Sequence, residues 1–72
     1  MSFQAYLDAV TARTGKTPEQ LATSASERGL LADGRIVDGV KATQITDWLK
    51  AEYDLGHGHA MAIYAWFKGK RA

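Results

Sequence analysis

Eight consecutive apolar residues, Ala60-Met61-Ala62-Ile63-Tyr64-Ala65-Trp66-Phe67, set in a chain of 72, constrain the fold more than any other feature. A segment that is apolar on every side needs cover on every side, and its three alanines favour helix over strand. At about ten residues it is far shorter than the ~20 needed to cross a bilayer. The reading is a buried C-terminal helix over 58–68 that the rest of the chain wraps. Lys68, Lys70 and Arg71 follow it, where cations complement the negative end of a helix dipole.

Three amphipathic segments are available to do the wrapping. Phe3, Tyr6, Leu7 and Val10 recur at spacings of three and four, which predicts a helix over 2–14 capped by Ser2 and closed by Gly15. Thr17-Pro18-Glu19-Gln20 is a second helix start: a hydroxyl cap, a proline where no donor is needed, and a glutamine placed to complete a capping box. That helix, 18–28, turns Leu21 and Ala25 inward and stops at Gly29. Ile45, Trp48, Leu49 and Tyr53 define a third over 43–54, with Thr43 as its cap and Leu55-Gly56 as its end. Between 30 and 42 the periodicity fails, and Asp33-Gly34 and Asp38-Gly39 are turn dipeptides. This stretch reads as an irregular loop; pairing of Ile36-Val37 with Leu30-Leu31 is the alternative, weakened because an isolated two-stranded hairpin is marginal in water.

The fold class is therefore all-α: a compact bundle of about four short helices forming one domain over 1–72. The expected core is Phe3, Tyr6, Leu7, Val10, Leu21, Ile45, Trp48, Leu49, Ile63, Trp66 and Phe67. A domain near this size buries only about 60% of its unfolded-chain surface. With no cysteine and two histidines, neither a disulfide nor a structural metal is expected, which leaves close helix packing or self-association to stabilise it. Missing thiols and the absence of a leader-like or membrane-spanning stretch make a cytoplasmic location the expectation. Nine Lys/Arg interleave with eight Asp/Glu for a net charge of +1, unlike the basic footprint of a strong nucleic-acid binder.

The residue sets of enzyme chemistry are mostly missing. There is no cysteine nucleophile and no phosphate-cradling glycine loop, and a set such as Ser24, His59 and Asp54 could be drawn from almost any small protein. No catalytic residue and no cofactor is assigned. His57 and His59 could approach one ion if extended, but two ligands are not a site, a third having to come from Asp54 or Glu52; no metal is assigned. The aromatic set offers more. In so small a domain some of it stays exposed, and an exposed aromatic patch marks a partner or self-association site; Tyr53, Tyr64 and Trp66 are the candidate surface. Gly56-His57-Gly58, with His59, is a candidate anion-binding turn similar to part of a helix-hairpin-helix motif, in which backbone N–H groups at a helix start meet a DNA phosphate. Here His57 stands where that motif has an aliphatic residue.

Met1-Ser2-Phe3-Gln4-Ala5-Tyr6-Leu7, the turn Thr14-Gly15-Lys16-Thr17-Pro18-Glu19, Ile45-Thr46-Asp47-Trp48-Leu49-Lys50 and Leu55-Gly56-His57-Gly58-His59-Ala60-Met61-Ala62-Ile63 together resemble a bacterial family of small proteins known as domain of unknown function 4287. The resemblance covers nearly the whole chain. It implies no activity, cofactor or catalytic residue. Longer relatives join this segment to another domain, which implies an accessory or binding role. The stretch Arg35-Ile36-Val37-Asp38-Gly39 looks longer than the family's usual connection.

The expectation for function is a non-catalytic helical interaction module, self-associating, as a homodimer for example, or docking on a protein partner. The alternative is weak nucleic-acid binding through the Gly56-His57-Gly58 turn. No membrane and no small-molecule substrate is expected.

Overall fold

The computed structural model describes residues 2–72. Four helices and one small hairpin follow in the order α1 (Phe3–Thr14), α2 (Pro18–Glu27), β1 (Leu31–Ala32), β2 (Arg35–Ile36), α3 (Ala42–Tyr53) and α4 (His57–Phe67). The fold is mostly α.

The local signals at the first two helices act as their chemistry demands. Ser2 caps α1, its Oγ accepting from the Ala5 N–H at 3.1 Å. At α2 the capping box is complete: Thr17 Oγ1 accepts from the Gln20 N–H at 3.2 Å, and Gln20 Oε1 accepts from the Thr17 N–H at 2.8 Å. Two otherwise orphaned donors are satisfied reciprocally. The helix ends in a Schellman pair, Gly29 N–H donating to Ser26 O and Leu30 N–H to Ala25 O. That closure aims the chain straight into β1.

Within 30–42 the irregular loop that lost periodicity predicts is confined to 38–41; the alternative, Ile36-Val37 paired with Leu30-Leu31, is what forms before it. Leu31 pairs with Ile36 and Ala32 with Arg35, antiparallel, and the Val37 N–H donates to Leu30 O at 3.0 Å. The turn between them is Asp33-Gly34, with φ of 53° and 76°. Two successive positive φ values make a type I′ turn, whose twist matches that of the strands, and the second position is one glycine occupies without steric cost. The hairpin is not isolated, which removes the objection to it. Leu31 is buried in the core and α2 packs against β1.

α3 starts one residue before the expected range, and its cap is not Thr43. Lys41 is the N-cap residue, and the Gln44 side chain satisfies its N–H at 2.7 Å. Lysine has no acceptor to return the bond, so only half a capping box forms. α3 ends at Tyr53 with Asp54 in the left-handed region, φ 55°, a conformation that Asp tolerates better than most residues.

α4 is the helix against which α1, α2 and α3 all pack. Its buried residues are Ala60, Ala62, Ile63 and Phe67; Met61 is exposed, and Tyr64, Ala65 and Trp66 are half-buried. It is a central helix open along one side, not one enclosed all round. Neighbours in so short a bundle cannot cover the full circumference of an 11-residue rod. Of the expected core, Phe3, Tyr6 and Trp66 lie half-buried at its margin, while Ala25, Leu31, Leu55, Ala60 and Ala62 join the interior. The small residues let the helices approach; Leu31 and Leu55 enter from segments with no helical period to reveal them.

Candidate functional site

Tyr64 and Trp66 are two positions apart on α4, about 200° around the helix, so they flank Phe67 on opposite sides. Tyr64 belongs to a groove of about 460 Å³ that runs along 35–40 and is completed by Phe67 and Lys68. Trp66 belongs to another, about 230 Å³, with Ala22, Leu31, Phe67 and Arg71 among its walls. Tyr53 is in neither; its ring meets Trp48 edge-on with centroids 5.6 Å apart. The three aromatic candidates therefore occupy three neighbourhoods rather than one patch. Trp48 itself is buried, and its Nε1–H has no hydrogen-bond partner among the described residues.

The residues after α4 complete this surface. The helix closes in a second Schellman pair, Gly69 N–H to Trp66 O and Lys70 N–H to Ala65 O, both 3.0 Å. Gly69 takes φ 110°, a value open to glycine, and the chain folds back over the helix. Three cations then lie on three rings. Arg71 Cζ sits 4.0 Å from the Trp66 centroid, Lys70 Nζ 5.0 Å from Phe3 and Lys68 Nζ 5.5 Å from Tyr64. Arg71 is held there by Nη1, which donates to Trp66 O at 2.8 Å and Lys70 O at 2.9 Å. The sequence marks these cations as dipole partners. Lys68 reaches Tyr64 at the i+4 spacing of the helix itself, whereas the ring contacts of Lys70 and Arg71 depend on the reversal at Gly69, which no local pattern announces.

Gly56-His57-Gly58 is not a turn. Gly56 is the residue before α4, its carbonyl accepting from the Ala60 N–H at 2.9 Å, and His57, Gly58 and His59 form the first helical turn. A Cβ added at Gly58 would lie 3.3 Å from Tyr6 Cε1, so this glycine serves the close approach of α1 to α4. Gly56 supplies no side chain to cap the helix, which leaves first-turn N–H groups open. His57 and His59, at i and i+2 on a helix, point away from each other. His57 is exposed, and the His59 ring packs edge-on against Tyr6 at 5.2 Å. Among the described residues no group of three His, Cys, Asp or Glu could hold an ion.

A third groove, about 350 Å³, lies between α1 and α4, where Phe3 and Tyr6 face Met61, Ala62 and Ala65. None of these three grooves is lined by a set of acid, base and nucleophile.

The family described as a domain of unknown function (DUF4287) matches residues 2–69 of this chain. The chain belongs to it. The match runs through the hairpin and through all four helices, so Arg35–Gly39 lies inside the DUF4287 domain. No curated protein and no solved structure matches the chain. No described helix is long and apolar enough to cross a membrane.

Proposed function

We propose that this DUF4287 domain is a non-catalytic protein-interaction module of the cytoplasm, self-associating or docking on another protein through the half-buried aromatic residues of α4. The observation that carries the reading is Trp66: a large ring left half-exposed at the lip of an apolar groove, with the Arg71 guanidinium stacked on it. Tryptophan and arginine are the residues that most often anchor interfaces, because each combines a wide apolar face with a polar edge. Tyr64, with Lys68 over its ring, repeats the arrangement on the opposite side of Phe67. Tyr53 lies outside this surface.

Sedimentation equilibrium from micromolar to millimolar protein tests self-association. Capture with immobilised wild type, Tyr64→Ala and Trp66→Ala, each checked by circular dichroism, tests the surface. A monomer at every concentration, with capture unchanged by either substitution, removes the reading. Nucleic-acid binding at the α4 N-terminus has one observation in favour, the open first-turn N–H groups, but a net charge of +1 gives it little electrostatic support. A gel shift at low salt decides it.

A further inference from the structure

The hairpin has two edges, and only one is covered. β1 lies beside α2. β2 is the outer strand, and its hydrogen-bonding pattern fixes what it offers. Arg35 and Ala32 flank the two-residue turn as a bonded pair, and the Val37 N–H donates to Leu30 O. Bonded and non-bonded pairs alternate along an antiparallel ladder, so Leu31 and Ile36, which lie between them, form a non-bonded pair. The Ile36 N–H and C=O therefore point away from β1, towards open space along the edge. No other backbone group or side chain among the described residues bonds them.

Alongside that edge runs the 460 Å³ groove, whose other wall is Tyr64, Phe67 and Lys68 of α4 and its end. A strand edge beside a helix has the shape that accepts one more strand. Ile36 shares a face with its partner Leu31, which is buried, so that face of the sheet is turned to the core. A strand added beside β2 would lay alternate side chains on the apolar wall of Tyr64, Phe67 and Val40. Its remaining side chains would stand on the outer face, where Ala32 and Arg35 are exposed. Arg35 and Lys68 both line the groove, against a single acid, Asp38.

We propose that the β2 edge and α4 together bind an extended segment of another protein by strand addition, and that the segment alternates apolar with acidic residues. The proposal rests on the reading of this domain as a protein-interaction module and names the mode and chemistry of the partner. An extended backbone is required because only it matches the outward N–H and C=O of Ile36. Acidic residues are required because two of the three charged residues in the groove are cations. β2 is short, so the backbone contributes few bonds and the apolar wall supplies most of the affinity. The contact is of the weak, transient kind.

The test uses the intact chain labelled with 15N and two capped hexapeptides, one of alternating Glu and Val, the other of alternating Lys and Val. The Glu-Val peptide is expected to bind saturably at millimolar concentration, at least about tenfold more tightly than the Lys-Val peptide. At saturation the Ile36 amide, open in the free protein, should exchange with solvent at least about tenfold more slowly. Ile36→Pro removes the outward donor, at an edge position where proline is tolerated, and should weaken binding beyond Ile36→Ala, the control for the lost side chain. Arg35→Glu, on the exposed face, should reverse the preference between the two peptides with an unchanged circular dichroism spectrum. The inference is overturned by no binding of either peptide, by equal binding of both, or by binding that leaves Ile36 exchange unaltered. Partner capture that survives Ile36→Pro and is lost in Trp66→Ala would overturn the inference while leaving the broader function standing.

Discussion

Replacing Ile63 by alanine should cost the fold about 4 kcal/mol, whereas the same change at Met61, two residues earlier on α4, should cost less than about 1 kcal/mol. Ile63 is 0% exposed and Met61 39%. Ile63→Ala removes about three methylene equivalents from the interior, near 0.8 kcal/mol each, or about 2.4 kcal/mol of transfer energy. The unfilled space carries the total into the upper part of the roughly 2–5 kcal/mol seen for buried Ile→Ala changes. For 72 residues the whole stability is about 4–11 kcal/mol, so this one change removes a large part of it. At Met61 the lost partial burial is offset in part by the better helix propensity of alanine. Urea unfolding followed by circular dichroism measures both. With a slope near 1 kcal/mol per molar, the Ile63→Ala midpoint should fall by about 4 M and that of Met61→Ala by less than about 1 M. Equal shifts would refute the reasoning, because they would mean that α4 has no inner and outer side.

Thr17→Ala breaks the complete capping box and should lower stability by about 1 kcal/mol and the melting temperature by about 4–8 °C; calorimetry checks it, and an unchanged Tm would deny the cap its role. Gly34→Ala places a Cβ in the left-handed second position of the hairpin turn and should cost about 1–2 kcal/mol, read by urea unfolding, with faster exchange of the Val37 amide. Gly58→Val pushes a branched side chain into Tyr6 and should destabilise by about 1–3 kcal/mol. If it lowered DNA affinity with no loss of stability, the close-packing role of this glycine would be wrong. Arg71→Ala uncovers the Trp66 ring and should shift its fluorescence to longer wavelength in a Trp48→Phe background, since that ring gains water contact.

Much of this protein is written in short-range chemistry. Thr17, Pro18 and Gln20 define a helix start because the bonds they make span three residues, and Phe3 to Val10 define a face because a helix repeats every 3.6. Such signals need no knowledge of what lies across the core. Four helices, their order and their approximate ends follow from them; membership in DUF4287 rests instead on the likeness of whole segments to that family. The apolar run at 60–67 is likewise enough to make α4 the central element.

What tertiary structure decided is everything that depends on a neighbour. Leu30-Leu31 and Ile36-Val37 carry too few residues to stand as a hairpin alone; packing of β1 on α2, with Leu31 in the core, makes them one. Which side of α4 faces water cannot be read from a segment with no charged residue to mark it, and it falls to Met61 because α1 leaves an open groove along that side. Gly58 reads as loop chemistry, yet Tyr6 across the interface makes it a contact residue. The placing of Lys70 over Phe3 and Arg71 over Trp66, and of the β2 edge beside α4, exists only once the chain has folded back on itself. Local bonds select elements; which surfaces those elements leave bare depends on how few neighbours a chain of 72 residues can supply.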